Sequence, residues 1–314
     1  MPCASPSPSA THRSPGVAEP IVLSGSSLNT FLNCQRQWEL AYVRRLKRPP
    51  GLKMARGIAA HAAAEIDLGH KLETGSNLPR DAVLDAFADS FKEVSVESPE
   101  NPDKKETRGA YLDSGVGAVG YWYDEIGTST NPVHVEIHGQ FTIKTDTHPE
   151  PMHYDWTADL VDEVPDGEPM LESFDDWVAW RKQSEDPDPA LGWIGQRFAG
   201  GRRVRDWKFV SRTPDSAAAY VLNMVGYAIG LRRLLGGAEV GRQLDHIVLL
   251  KQPKYVPIAD GPLTQEDIMG FTDIVEGAYK SIEAGVFPPT GLKSGACSWC
   301  GYADGTCTAY RRRR

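Results

Sequence analysis

The chain predicts an α/β fold in which a central mixed sheet is flanked by helices, with a helical region before the sheet and a cysteine-bearing loop after it. Three observations carry that expectation. Helical periodicity over roughly residues 21–130 gives way to strand alternation from 131, and a later helix leads back into a strand, as in a sheet with a helical crossover. At 314 residues and 40% hydrophobic content the chain can bury one sizeable core. Finally, Cys34 stands near one end and Cys297, Cys300 and Cys307 near the other, so a centre shared by these thiols would close everything between them into one unit.

Residues 1–20 are rich in Pro, Ser and Ala without an apolar stretch, so they read as a disordered tail that carries Cys3, not as a signal peptide. Ser26 to Tyr42 places Leu28, Phe31, Leu32 and Trp38 at helical spacing after a serine cap, and Cys34 is expected to project from that helix. Pro49 and Pro50 break the chain. Further helices are expected over Met54–Lys71, which carries Gly57 and His61, over Pro79–Val94 and over Thr107–Ile126.

Val133–Ile143 and Tyr154–Asp162 then alternate as neighbouring strands. Arg203–Val210 is a third strand, Asp215–Leu235 a helix, Asp245–Lys251 a fourth strand, and Thr264–Ala284 a last helix. One domain is expected over 21–310. It comprises a helical part (21–130), a core (131–285) interrupted by an insertion at about 165–202, and a cysteine loop (286–310); a basic tail follows at 311–314. The insertion, with Trp177, Trp180 and Trp193, reads as a surface excursion or as a strand-separating element whose rings stack on bases.

The net charge of −8 and pI near 5.5 argue against a protein that coats nucleic acid indiscriminately, though local basic clusters exist. Arg44, Arg45, Lys47 and Arg48 form one, Arg202, Arg203 and Arg205 another; each could track phosphates or be a solvated face. No apolar run reaches membrane-spanning length, so a cytoplasmic protein without a membrane partner is expected. With four clustered thiols and no secretory signal, metal binding is expected over disulfides, and spacing alone leaves zinc and an iron-sulfur cluster both open.

The chemistry is concentrated at Asp159 and at Asp206-Trp207-Lys208. Residues two apart on a strand share a face, so Asp206 and Lys208 are presented together and Trp207 turns away. A carboxylate from the adjoining strand, Asp159, would complete an oxygen pair suited to a hard divalent cation. Lys208 could then orient water or offset charge on a phosphate. On His61 alone the expectation is a packed or solvated histidine. Glu65, one turn later, and Glu136 are candidate outer acids with solvated or structural roles expected.

In combination, Gly57-x-x-x-His61 on a helix, Asp159 on a strand and Asp206-x-Lys208 on the next resemble the PD-(D/E)XK nuclease superfamily, in particular its RecB-like exonuclease branch. Leu23-Ser-Gly-Ser-Ser-Leu28 with Cys34 and the three terminal cysteines resemble the iron-sulfur members of that branch, which include the CRISPR-associated Cas-four family. The resemblance covers about Val22 to Cys307 and implies a restriction-endonuclease-like core. It further implies that His61, Asp159, Asp206 and the backbone carbonyl of Trp207 hold Mg2+ or Mn2+. Lys208 is then the catalytic lysine, and Cys34, Cys297, Cys300 and Cys307 hold a [4Fe-4S] cluster, with structural zinc as the alternative. The family's glutamine and tyrosine four apart correspond to Asn223 and Tyr227, so this chain keeps the tyrosine and shortens the amide by one methylene. The implied activity is 5′-to-3′ exonucleolytic cleavage of single-stranded DNA in recombination, repair, replication or CRISPR-type processing, with protein partners from such pathways. A noncatalytic DNA-binding adaptor and an endonuclease of the same chemistry are the alternatives.

Overall fold

The computed structural model describes residues 20–163, 202–212, 221–236, 241–260 and 263–309. The N-terminal tail with Cys3, the insertion with Trp177, Trp180 and Trp193, the first residues of the helix expected from Asp215, and Arg311–Arg314 lie outside the described residues.

A short strand, β1 (Val22–Ser24), runs straight into α1 (Gly25–Asn33), whose start is set by a capping box in which Ser24 and Ser27 satisfy each other's backbone N–H groups. The single helix expected over 26–42 is interrupted. Cys34 adopts an extended conformation (φ −161°, ψ 109°) between α1 and α2 (Gln35–Trp38), so its thiol leaves from a break between helices and not from a helix face. A π-turn over Glu39–Val43 follows.

Three helices come next: α3 (Leu52–Thr74), closed by Gly75 at φ 81°, then α4 (Arg80–Val94) and α5 (Arg108–Trp122). The hairpin of β2 (Pro132–Ile143) and β3 (Met152–Glu163) leads to β4 (Arg202–Val210), α6 (Val221–Leu234), β5 (Gly241–Val248) and β6 (Lys254–Asp260). α7 (Gln265–Glu283) and the single turn α8 (Gly291–Ser294) follow. β1 and β6 escaped the sequence reading, the first being only three residues long and the second lacking clean alternation.

β3 organises the mixed six-stranded sheet. β2 pairs antiparallel along one edge of it. On the other edge β1 pairs parallel at His153–Asp155, and β4 pairs antiparallel only where Leu160–Glu163 meets Arg205–Arg202. Beyond Arg205, β4 leaves β3 and continues in parallel register with β5 alone, the crossover being α6. The result is a fork, and Trp156 to Asp159 line its open side.

Helices cover both faces. α1, α6 and α7 bury Leu28, Phe31, Val225 and Phe271 against Tyr154, Trp156 and Val204. α3, α4 and α5 bury Ala59, Phe87, Val119 and Trp122 against Leu160, Trp207, Phe209 and Ile247. Each large apolar side chain buried this way contributes about 1.5–3 kcal/mol. α6 lies especially close to the sheet because a Cβ on Gly226 would sit 2.8 Å from the Tyr154 ring and one on Gly230 2.2 Å from Trp156. That close approach sets α6 over the fork.

Inside β3, Tyr154, Trp156 and Ala158 pack on the α1/α6/α7 side, yet Leu160 packs on the α3/α4/α5 side. Side-chain alternation therefore reverses across Asp159. The facing residue of β2 shows the cause: Glu136, between the pairs Val135–Leu160 and Ile137–Ala158, takes φ 47°, a left-handed conformation rare for a non-glycine residue. A local kink of this kind re-aims a side chain, here Asp159, into the fork.

Candidate active site and cysteine centre

α3 crosses the open side of the fork and places His61 beside Asp159, with Nδ1 3.0 Å from Oδ2. The same Asp159 oxygen accepts the backbone N–H of Trp207 at 3.3 Å, which ties β3 to the diverging β4 at this level. Asp206 is 1% exposed and its Oδ1 accepts from Lys208 Nζ at 2.5 Å. As the strand parity requires, Trp207 turns the other way and packs edge-on against Trp122, with ring centroids 5.6 Å apart.

Donor atoms of His61, Asp159 and Asp206 all lie within 4.8 Å of one another, the one group of three or more such ligands, among the described residues, that is this compact. Oδ2 of Asp206 is buried without a hydrogen-bond partner. A buried acceptor left open beside a second carboxylate costs roughly 1–3 kcal/mol or more unless a proton or a cation is shared between them. Two hard oxygens and one imidazole fit a divalent metal.

The titration behaviour follows from that crowding. Burial, opposed by the Lys208 ammonium and reinforced by the Asp159 carboxylate, pushes Asp206 up to about 7. Asp159 is buried too, but the charge and hydrogen bond of His61 outweigh burial and hold it well below the usual carboxylate range. Burial disfavours the His61 cation, yet the Asp159 carboxylate wins and raises it. Glu136 is raised to about 7, first by burial and then by the negative charges of Asp159 and Glu65, while Glu65 itself is exposed. Glu136, a candidate outer acid by sequence, thus belongs to the electrostatic surroundings of the site; the backbone kink that it supplies was not suggested by its sequence position.

Asn223 and Tyr227 reach the site from α6. Burial first, and then the Asp206 and Asp159 charges, raise the Tyr227 phenol. Asn223 Oδ1 accepts from Asn29 Nδ2 of α1 at 2.8 Å.

The basic cluster on β4 does not form a phosphate track. Arg203 and Arg205 are 9% and 4% exposed, and they point away from Asp206 into a buried network. Arg203 donates to Asp162 (3.0 and 2.9 Å) and Gln243, and Arg205 to Asp162 (3.0 Å) and Asp245 (2.7 Å). Their parity with Trp207 puts them on the opposite face, where two carboxylates neutralise them. In the other basic stretch Arg44 pairs with Glu39 and Arg48 with Asp304.

All four cysteines line one small cavity with Leu40 and Tyr302. The approach of the two chain ends is held by Ser294 Oγ donating to the Asn33 carbonyl (3.0 Å) and Tyr302 Oη donating to that of Leu46 (2.5 Å). A Cβ on Gly291 would stand 3.1 Å from Cys34 Sγ and 3.3 Å from Cys297 Sγ, so any side chain there would crowd both thiols.

A mixed sheet between helices, forked where a carboxylate pair, a histidine and a lysine meet, defines a restriction-endonuclease-like α/β fold with a candidate divalent-metal site. Residues 22–167, just under half of the chain, match the PD-(D/E)XK nuclease superfamily, a match that supports a nuclease domain. The match includes His61 and Asp159 and ends before Asp206 and Lys208. Among solved structures, the chain is similar to SSO0001 at 12% identity and a TM-score of 0.40, covering 94% of this chain and 89% of that one. It is also similar to a candidate exonuclease from Eubacterium rectale at 10% identity and a TM-score of 0.45, covering 85% and 83%. No curated protein matches. No helix among the described residues is long and apolar enough to cross a membrane.

Proposed function

We propose that this protein is a metal-dependent DNA exonuclease acting 5′ to 3′ on single strands, with His61, Asp159, Asp206 and the Trp207 carbonyl holding Mg2+ or Mn2+. The observation that carries the reading is the convergence of three ligands within 4.8 Å around an unpartnered buried oxygen of Asp206, with Lys208 in contact. When bound, the cation supplies Lewis acidity at the scissile phosphate. Asp159 and Asp206 fix the cation's position, and the Trp207 N–H holds Asp159 in place. Lys208, kept against Asp206, is available to orient the attacking water and to offset charge that develops on the phosphate. Tyr227 faces the same charges from α6.

The four cysteines hold a [4Fe-4S] cluster in this reading. Support for it is the convergence of all four thiols on one cavity, together with the resemblance of Cys34 and the C-x2-C-x6-C run to the iron-sulfur members of the branch. The pathway is DNA recombination, repair, replication or CRISPR-type processing in the cytoplasm, with protein partners of that setting. Released label from 5′- and 3′-labelled linear single strands, with Mg2+, Mn2+ or chelator, tests the activity and its polarity; a circular single strand separates exonuclease from endonuclease. Metal-dependent release abolished in Lys208→Ala is expected. Folded, metal-loaded wild type that binds DNA and cuts none would instead make the protein a noncatalytic adaptor.

A further inference from the structure

We infer that Tyr42 is a stacking platform for one base of a single-stranded nucleic acid, and that Lys47, on the same turn, takes a phosphate beside it. The inference deepens the nuclease reading and rests on it for the nature of the strand; neither residue belongs to the metal site.

Three rings stack at this point. Trp38 lies nearly parallel to Phe287 (centroids 5.8 Å apart, planes 19° apart) and to Tyr42 (5.4 Å, 24°). Trp38 is buried in the core, whereas Tyr42 is 44% exposed although the indole covers one of its faces. The open area of Tyr42 is therefore its second face and its edge. A ring held flat by a buried indole and open on its other side is what a nucleobase stacks on, and such stacking tolerates any sequence because every base has a π face.

The turn is built to hold that ring outward. α2 and the π-turn put Trp38 and Tyr42 four residues apart, one over the other. Arg45 then takes φ 53°, a left-handed conformation, and the chain reverses so that the Leu46 N–H donates to the Leu40 carbonyl at 3.0 Å. The reversal returns Lys47, which is exposed, alongside the turn that carries Tyr42. From the other end of the chain, Tyr302 donates to the Leu46 carbonyl, and Arg48 reaches Asp304 (2.8 Å) and Thr306 Oγ1 (2.6 Å) over the Tyr302 ring. The surface is thus ordered before a ligand arrives, which lowers the entropic cost of binding. Arg44 and Arg48 serve as struts through Glu39 and Asp304. Residues 40–51 contain no carboxylate, so the charge of the turn suits a polyanion. Val43 and Leu46 are exposed among these cations, and apolar side chains there mark a binding patch, not a solvated charge run.

The test is equilibrium binding, without added Mg2+ or Mn2+, of a dT oligonucleotide and of an abasic phosphodiester strand of the same length. Tyr42→Ala is expected to bind the dT strand about tenfold more weakly with the same salt slope, and to bind the abasic strand as the wild type does. Tyr42→Trp should restore dT binding; Tyr42→Leu, which fills the space without a π face, should not. Lys47→Ala should flatten the slope of log K against log[salt] by about 0.7 on both strands. An equal loss on the two strands in Tyr42→Ala would be a structural effect and would overturn the platform. So would a Tyr42→Leu protein that holds dT like the wild type, or a wild type that binds no single strand, either of which would leave the turn as a surface for a protein. An unchanged slope in Lys47→Ala overturns the phosphate contact. Base-dependent loss in a protein that cuts no DNA with Mg2+ or Mn2+ refutes the nuclease reading alone, and intact cleavage without base-dependent loss refutes the platform alone. If Tyr42→Ala does not fold, Tyr42→Leu takes its place on both strands.

Discussion

Removing the Asp162 carboxylate should destabilise this protein more than removing any surface charge, and should do so without weakening its grip on DNA. Asp162 is 1% exposed and accepts three guanidinium N–H groups, two from Arg203 (3.0 and 2.9 Å) and one from Arg205 (3.0 Å). Asp162→Ala removes the carboxylate shared by all three, leaving Arg205 Nη1 with the weaker Thr130 Oγ1 acceptor at 3.3 Å. Breaking a buried pair by deleting one partner costs about 3–5 kcal/mol. Asp245 still holds Arg205 at 2.7 Å and Gln243 still accepts from Arg203 at 2.9 Å, so the low end, about 3 kcal/mol, is expected. At roughly 2–4 °C per kcal/mol that is a fall in Tm of about 6–12 °C. Asp162→Asn, which keeps one acceptor oxygen, should lose about half as much. Chemical denaturation gives the free energies, and binding of a catalytically silent Lys208→Ala background to single-stranded DNA across a salt series gives the electrostatic count. If Asp162→Ala loses less than 1 kcal/mol, or if its salt slope changes by a whole phosphate contact, the two arginines face DNA and the buried-network argument is wrong.

Four further outcomes are expected. Lys208→Met should lower turnover by at least about a hundredfold while binding of single-stranded DNA persists, which single-turnover kinetics with a separate binding isotherm will check. Protein purified without oxygen should be yellow-brown with broad absorbance near ~400 nm and lose it in Cys300→Ser; colourless protein with stoichiometric zinc refutes the cluster. Gly25→Ala must push its Cβ into the Asn223 amide, so a loss of about 1–3 kcal/mol and slower cleavage are expected by denaturation and assay. His148 is raised although burial works against it, because Glu283 and the Glu150 carbonyl favour its charged form. Its contribution is therefore fully present below the unfolded value near ~6.5 and is lost as pH rises through the higher folded value. Stability measured from pH 5 to 9 should fall less steeply in His148→Asn.

Local pattern was enough to find the long helices, the hairpin and the crossover, because each depends on periodicity within its own segment. His61, Asp159, Asp206 and Lys208 were legible as residue types at a spacing, and the fork brings them together. Three things were not legible. Cys34 sits within a run of helical periodicity, and only the chain's need to turn the thiol toward residues 297–307 breaks the helix there. Arg203 and Arg205 look like a phosphate track until the sheet shows which side of β4 they occupy. The reversal of alternation at Asp159 depends on Glu136, a residue of another strand whose left-handed backbone has no glycine or asparagine to announce it.

α1 connects the two centres, and that gives the cysteines a consequence beyond holding the chain's ends. The helix is about 14 Å long for its nine residues, with Gly25 against Asn223 at one end and Cys34 at the other. Its far end is held by contacts with the segment that bears the other cysteines: Ser294 to the Asn33 carbonyl, and the Gln35 N–H to Thr290 Oγ1 at 3.3 Å. These are single, partly exposed bonds worth about 1 kcal/mol each, too little to fix a helix alone. A bound metal centre would add the Cys34 ligation at that end and tie it covalently to Cys297, Cys300 and Cys307. Its removal should therefore loosen α1 first and, through Asn29 and Gly25, disturb the Asn223 amide. Amide hydrogen exchange before and after removal of the metal reads this directly. Faster exchange in α1 with β5 unchanged is expected, because β5 is paired on both edges and buried throughout. Equal acceleration in α1 and β5 would mean that the centre supports the whole fold and has no particular hold on the site.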